Sequence, residues 1–260
     1  MELNKIYCES NVNTMARMPD GFVDLTVTSP PYDNLRTYNG YEFDFEPIAQ
    51  ELYRVTKKGG VVVWVVGDAT INGSETGTSF RQALYFKEIG FNLHDTMIYK
   101  QSGTGARGSN LAYWQTFEFM FVFAKDNPIT VNRIADRKNL NFGNKVPGRV
   151  DINGKPKKEA NHEVSYIGIR NNIWEYPVGF ANQSDKTEHS APFPEALAKD
   201  HILSWSNEND LIYDPFMGSG TTAKAAHLLN RNWIGSEISS EYVDLANKRL
   251  EPYLAQSSLF

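Results

Sequence analysis

The chain has 260 residues, 41% of them apolar and 22% charged, with 26 Lys and Arg set against 31 Asp and Glu. That composition can build a sizeable core and excludes a low-complexity protein; the net charge of −5 does not by itself mark a nucleic-acid binder. A single cysteine, Cys8, excludes an internal disulfide framework and a cysteine-built zinc site. No apolar run is long enough to span a bilayer and MELNKIYCES holds no signal-peptide core, so an intracellular, cytoplasmic protein with no membrane partner is expected.

In chain order, KIYCES (5–10) is strand-like, and VDLTVT (23–28) predicts a short buried strand. That strand leaves through Thr28-Ser29-Pro30-Pro31-Tyr32. Each proline fixes φ near −65° and lacks an N–H, and each pushes its predecessor to extended geometry. The result is a stiff, carbonyl-presenting turn with a hydroxyl before it and a ring after it, suited to holding something flat and polar. FDFEPIAQELYRVTKKGG (43–60) has helical spacing with a basic, glycine-ended stop, and VVVWVV (61–66) predicts a second buried strand. FRQALYFKEIG (80–90) predicts a helix, and TFEFMFVFAK (116–125) a strand rich in aromatics.

Residues 127–188 break the alternation. They are rich in Asn, Gly, Lys and Pro, and predict an irregular insert outside the sheet. Between Lys125 and Phe180 ten basic residues face six acidic ones, so a basic segment is attached to an acidic body. LIYD (211–214) predicts a third strand, TTAKAAHLLNRN (221–232) a helix, WIGSE (233–237) a strand and SEYVDLANKRLEPYLA (240–255) a final helix. Strands alternating with helices imply an α/β fold, a largely parallel sheet with helices on both faces.

DPFMGSGTT (214–222) sits at a strand end and opens a helix. Gly218 and Gly220 lack a Cβ, so the backbone there can approach a ligand closely; without a lysine the turn is not a P-loop. Glu237 ends the next strand, about 20 residues on, where doubly wound folds grip ribose hydroxyls. Together these form a nucleoside-binding constellation that leaves a dinucleotide and S-adenosylmethionine both open.

DPFMGSGTT and TSPPY resemble the two signature motifs of DNA amino-methyltransferases, and their order is that of the circularly permuted β class. LYRVTKKGGVVVWVVGD, HSAPFPEALAKDHI (189–202) and WIGSEISSEYVDLANKRL resemble further segments of that class, in its order. The resemblance implies a Rossmann-like methyltransferase fold. It divides the chain into a catalytic half (1–126), a target-recognition insert (127–188) and a cofactor-binding half (189–260) of one domain. It implies S-adenosylmethionine as methyl donor and double-stranded DNA as substrate, in a prokaryotic or phage setting. A cognate restriction endonuclease and a homodimer are partners that the class admits.

By position in the motifs, the resemblance assigns Ser29, Pro30, Pro31 and Tyr32 to catalysis. The Ser29 hydroxyl and Pro30 carbonyl would accept from the target amine, drawing its lone pair out of conjugation, while Tyr32 stacks on a base flipped from the duplex. Asp214, Pro215, Phe216, Gly218, Ser219, Gly220, Thr221, Thr222 and Glu237 fall to the cofactor, as do Glu9, His189, Pro192 and Phe193. The sulfonium carries its own leaving group, so no metal is required. Methylation at cytosine carbon 5 needs a Cys nucleophile after a proline, which Cys8 is not. Ser29 stands where many adenine enzymes have Asp, which points to cytosine N4, with adenine N6 and a catalytically silent DNA-binding subunit as alternatives. Arg107, in the glycine-rich 102–110, and Arg133, Arg137, Lys138, Lys145 and Arg149 are the expected DNA contacts.

Overall fold

The computed structural model describes residues 1–31, 43–102, 112–146, 153, 155, 162–178 and 194–257. The first third holds β1 (Lys5–Cys8), α1 (Asn11–Ala16), β2 (Val23–Thr28), α2 (Phe45–Val55) and β3 (Thr56–Val66). A small hairpin, β4 (Thr70–Ile71) with β5 (Ser74–Glu75), leads to α3 (Thr78–Glu88), β6 (Asn92–Ser102) and β7 (Phe117–Ala124). Four short strands follow: β8 (Ala135–Lys138), β9 (Lys145–Val146), β10 (His162–Glu163) and β11 (Ile167–Ile169). The chain then returns through β12 (Ile173–Pro177), α4 (Glu195–Trp205), β13 (Leu211–Asp214), α5 (Thr221–Leu228), β14 (Asn232–Glu237) and α6 (Ser240–Ser257). Among the described residues no helix is long and apolar enough to cross a membrane.

Eight strands form one sheet in the order β1-β14-β13-β2-β3-β7-β6-β12. Every neighbouring pair is parallel except β3–β7 and β7–β6, so β7 alone runs against the rest. Alternation along the strands sends side chains to two separate layers. Val62, Trp64, Val66, Phe121 and Phe123 pack with Leu52 of α2 and Phe86 of α3. The intervening Val61, Val63, Val65, Met120 and Val122 are equally buried and face the opposite layer, where His201 of α4 lies against Met120. Sheets buried on both faces read as continuous apolar runs, which is why VVVWVV is unbroken. Burial also holds the His201 ring neutral, its pKa lowered to about 3.

The basic end of the expected 43–60 helix is instead strand. Thr56 leaves the helical region with ψ 130, and its hydroxyl donates to the Leu52 carbonyl (2.6 Å), ending α2. Lys57 then turns back to the Asp24 carboxylate on β2 at 2.7 Å, and Gly60 fits where a Cβ would press on the Asp24 carbonyl. The strand β6 was not legible in the sequence, because Asn, His, Asp, Thr, Lys, Gln and Ser crowd it and Asp95 and Gln101 fall among its more covered positions, which blurs the period-2 pattern. Part of the expected irregular insert also joins the sheet. Ile173–Pro177 pairs with β6 in parallel, burying Trp174 and Tyr176.

Residues Arg133–Asn171 cluster as a second compact unit, and the remainder of the described chain as the first. Within the second unit β8 pairs with β11 and β9 with β10, both antiparallel. Arg170 forms an ion pair with Asp136, which holds that carboxyl below its usual range.

The ring of Phe86 is wholly buried among Phe123 (4.5 Å between centroids), Trp64 (5.2 Å) and Phe45 (5.3 Å). Phe86→Ala is expected to lower unfolding free energy by about 3–5 kcal/mol, measured by urea denaturation.

Candidate active site

The strands β2 and β13 lie side by side, with Leu25 opposite Ile212 and Thr26 opposite Tyr213. From β2 the chain goes to α2, in the layer of Leu52 and Phe86; from β13 it goes to α5, which packs on α4 and α6 in the other layer. Connections that leave neighbouring parallel strands toward opposite faces open a crevice at the strands' carboxyl ends. The Ser29-Pro30-Pro31 turn and the glycine turn both start there, one after each strand.

A buried carboxylate ties the two turns together. Asp214 Oδ1 accepts from the Thr28 hydroxyl (2.7 Å) and the Phe216 amide (3.0 Å), while Oδ2 accepts from the Thr222 hydroxyl (2.6 Å). Burial pushes the Asp214 carboxyl up to about 6, against the opposing pull of the Thr222, Thr28 and Phe216 hydrogen bonds.

The glycine turn is held from its other side by Glu237. One carboxylate oxygen accepts from the Gly218 amide and the other from the Ser239 amide, each at 2.9 Å. Gly218 and Gly220 have φ of +49° and +79°, the left-handed region that glycine enters without strain. A Cβ on Gly220 would stand 3.2 Å from Ala246 Cβ of α6. Cys8 is opposite Glu237 across the β1–β14 pair, which sets Glu9 at the same strand end. Glu9 accepts from the Thr14 hydroxyl (2.8 Å) and pairs with Arg17. The Asn11 amide donates to the Pro215 carbonyl at 3.3 Å, and the half-buried ring of Phe216 packs edge-on to Phe43 and Trp64.

The sequence-derived residues divide accordingly. Ser29, Pro30 and Pro31, Asp214, Pro215 and Phe216, Gly218 through Thr222, Glu237 and Glu9 all lie at carboxyl ends of adjacent strands, and Ser29 is half-buried. Arg133, Arg137, Lys138 and Lys145 lie in the second unit, where all four are exposed or edge residues of short strands. Tyr32, Arg107, Arg149, His189, Pro192 and Phe193 lie outside the described residues. Thr28 and Asn11, which the motifs did not single out, bond directly to residues of the candidate site. A hydroxyl at the buried end of an apolar strand was the available signal for Thr28.

A carboxylate with spare lone pairs at a strand end, beside a turn whose two glycines bare its backbone and a half-exposed ring, fits a nucleoside with ribose hydroxyls to donate. The family model described as DNA methylase, covering N6 and N4 amino-methyltransferases, matches residues 23–248. The chain belongs to the DNA methylase family. It is 57% identical over 246 residues to the orphan methyltransferase M.BamHII of Bacillus amyloliquefaciens, spanning 90% of this chain and 91% of that protein. Among solved structures it resembles the cytosine-N4-specific PvuII DNA methyltransferase (19% identical, TM-score 0.67, 94% of this chain and 85% of that one). It likewise resembles the M1.HpyAVI–SAM complex (22% identical, TM-score 0.62, 95% and 99%). These likenesses show the Rossmann-like methyltransferase fold, and the methyl donor of the DNA methylase family is S-adenosylmethionine.

In this methylase the Asp214 tie carries a pH signature. Its folded pKa lies above that of a free carboxyl, so its contribution to stability is full below about pH 4 and is lost as pH rises through about 6. In Asp214→Asn the Thr222 hydroxyl can turn to the Val27 carbonyl, 3.3 Å away. The stability of wild type relative to Asp214→Asn, from denaturation at fixed pH steps, should therefore fall between pH 4 and 6 and be level above.

Proposed function

We propose that the chain transfers a methyl group from S-adenosylmethionine to the N4 amine of a cytosine flipped out of double-stranded DNA. The observation that carries this reading is the Thr28–Asp214–Thr222 tie, which fixes an amine-accepting turn beside a nucleoside-binding turn at one crevice. When bound, S-adenosylmethionine would supply the methyl group and leave as the neutral thioether, with the amine giving up one proton to solvent as its new N–C bond forms. Glu237 and Glu9 would hold its nucleoside, Phe216 would flank it, and the Gly218–Gly220 backbone would approach it closely.

The chain's own work is on the amine. An exocyclic amine has its lone pair delocalised into the ring and is a poor nucleophile. Acceptance of its two N–H bonds by the Ser29 hydroxyl and the Pro30 carbonyl favours a pyramidal nitrogen with the lone pair aimed across the crevice. Pro30 and Pro31 hold those acceptors before the base arrives, so little reorganisation remains in the transition state. Tyr32 is assigned the stacking contact to the extruded base, worth roughly 1–3 kcal/mol. The Ser29 hydroxyl in place of a carboxylate supports cytosine over adenine; both amines fall within the family's chemistry. The exposed Arg133, Arg137, Lys138 and Lys145 are assigned to the DNA backbone.

Incubation with labelled S-adenosylmethionine and unmodified DNA, followed by digestion to nucleosides, should give label in N4-methylcytosine. Label in N6-methyladenine would reassign the base, and no label would overturn the activity. Ser29→Ala should cut kcat by about 10²-fold with the donor's Kd unchanged. Arg137→Ala with Lys138→Ala should weaken DNA binding at all sequences and reduce the slope of log K against log salt by about 1–2; an unchanged slope removes this unit from the DNA contact.

A further inference from the structure

One charged side chain lies where the helix pattern calls for an apolar one. The face of α6 turned inward carries Val243, Ala246 and Leu250, and Arg249 falls in the same buried stripe. A guanidinium is tolerated there only if its N–H groups are met. Among the described residues it reaches three places. Nη1 donates to the Ser219 carbonyl and to the Thr221 hydroxyl, each at 3.1 Å, and Nη2 reaches Glu195 Oε2 at 3.4 Å. The same Glu195 oxygen accepts from Lys224 Nζ at 3.1 Å, and that ammonium, 1% exposed, sits 4.5 Å from the centre of the Tyr253 ring.

Glu195 opens α4, Lys224 belongs to α5 and Arg249 to α6, so one carboxylate joins these three helices. The end of this network that faces the crevice is the glycine turn itself. Ser219 is its middle residue, between Gly218, whose amide is taken by Glu237, and Gly220, where a Cβ would crowd Ala246 and Leu250. The turn is thus gripped at its two ends by different elements, Glu237 from β14 and Arg249 from α6.

We infer that Arg249 is a positioning residue for the cofactor turn. By holding the Ser219 carbonyl and the Thr221 hydroxyl on the α6 side, it fixes the peptide orientations between Gly218 and Thr221 and keeps that carbonyl out of the crevice. It therefore sets affinity for the methyl donor and leaves the transfer step itself untouched; this rests on the reading of the turn as the S-adenosylmethionine site. Lysine cannot replace it fully, since one ammonium does not span a carbonyl, a hydroxyl and a carboxylate as a planar fork does.

The test uses Arg249→Met and Arg249→Lys in the full chain, with folding checked by circular dichroism. Donor binding is read by calorimetry, turnover by steady-state kinetics, and amide exchange across 216–222 by mass spectrometry. Arg249→Met should weaken S-adenosylmethionine binding by about tenfold or more while kcat at saturating donor stays within about twofold, with Arg249→Lys between. Exchange should rise in the turn and not in β13 or β14. Should Arg249→Met fail to fold, Arg249→Lys and its exchange pattern decide alone. Unchanged affinity and unchanged turn exchange in the variants, or a loss confined to kcat, overturns the role of Arg249. Failure of the wild type to bind S-adenosylmethionine would instead overturn the reading of the site.

Discussion

The arrangement depends on a carboxylate that is expensive to bury. Asp214 sits without solvent between two strands and is accommodated because two threonine hydroxyls and one amide point at it. Each donor comes from a different piece of the site: Thr28 from the strand that launches Ser29, Phe216 from the glycine turn, Thr222 from the helix that turn begins. Removing one donor would leave a buried charge short of partners, so the three pieces are coupled in position. A crevice between strands is a property of the topology; the fixed distance between its two walls is a property of this group.

The glycine turn shows how a flexible sequence is made into a rigid surface. Glycines supply the left-handed backbone, but they also lose more freedom on folding than any other residue. The rigidity comes from what surrounds them: the Glu237 carboxylate on the Gly218 amide, the Arg249 fork on the Ser219 carbonyl, and Ala246 against Gly220. Even Gly235 on β14 belongs to this support, since a side chain there would overlap Met217 inside the turn. An apolar layer of α4, α5 and α6 with a small charged network at its upper end serves as the floor.

Much of this was legible because burial on both faces leaves an unbroken apolar run, as in VVVWVV, and because proline and glycine mark turns with specific geometry. The parts that were not legible share a cause: they depend on which element lies beside which. TKKGG reads as a helix stop until Asp24 is known to lie across from Lys57. NLHDTMIYKQS looks too polar for a strand until its partly uncovered face is seen. IWEYP is hidden by the Asn-rich residues around it, although its alternation of Trp174 and Tyr176 was a strand signal. In ANKRL, Arg249 looks like one more surface charge, and only the packing of α6 turns it inward. Residue types reported the local backbone well and the third dimension poorly.

The Thr28–Asp214 bond closes a loop of 186 residues. Until Leu211 leaves the ribosome, one edge of β2 has no neighbour, and the neighbour it eventually gains is a strand of only four residues. Contacts this remote in sequence make assembly slow, and an open strand edge invites pairing with other chains while it waits. A nascent molecule of this kind is therefore most vulnerable between the emergence of β2 and that of β13, and acquires its crevice only once the second of them has been made.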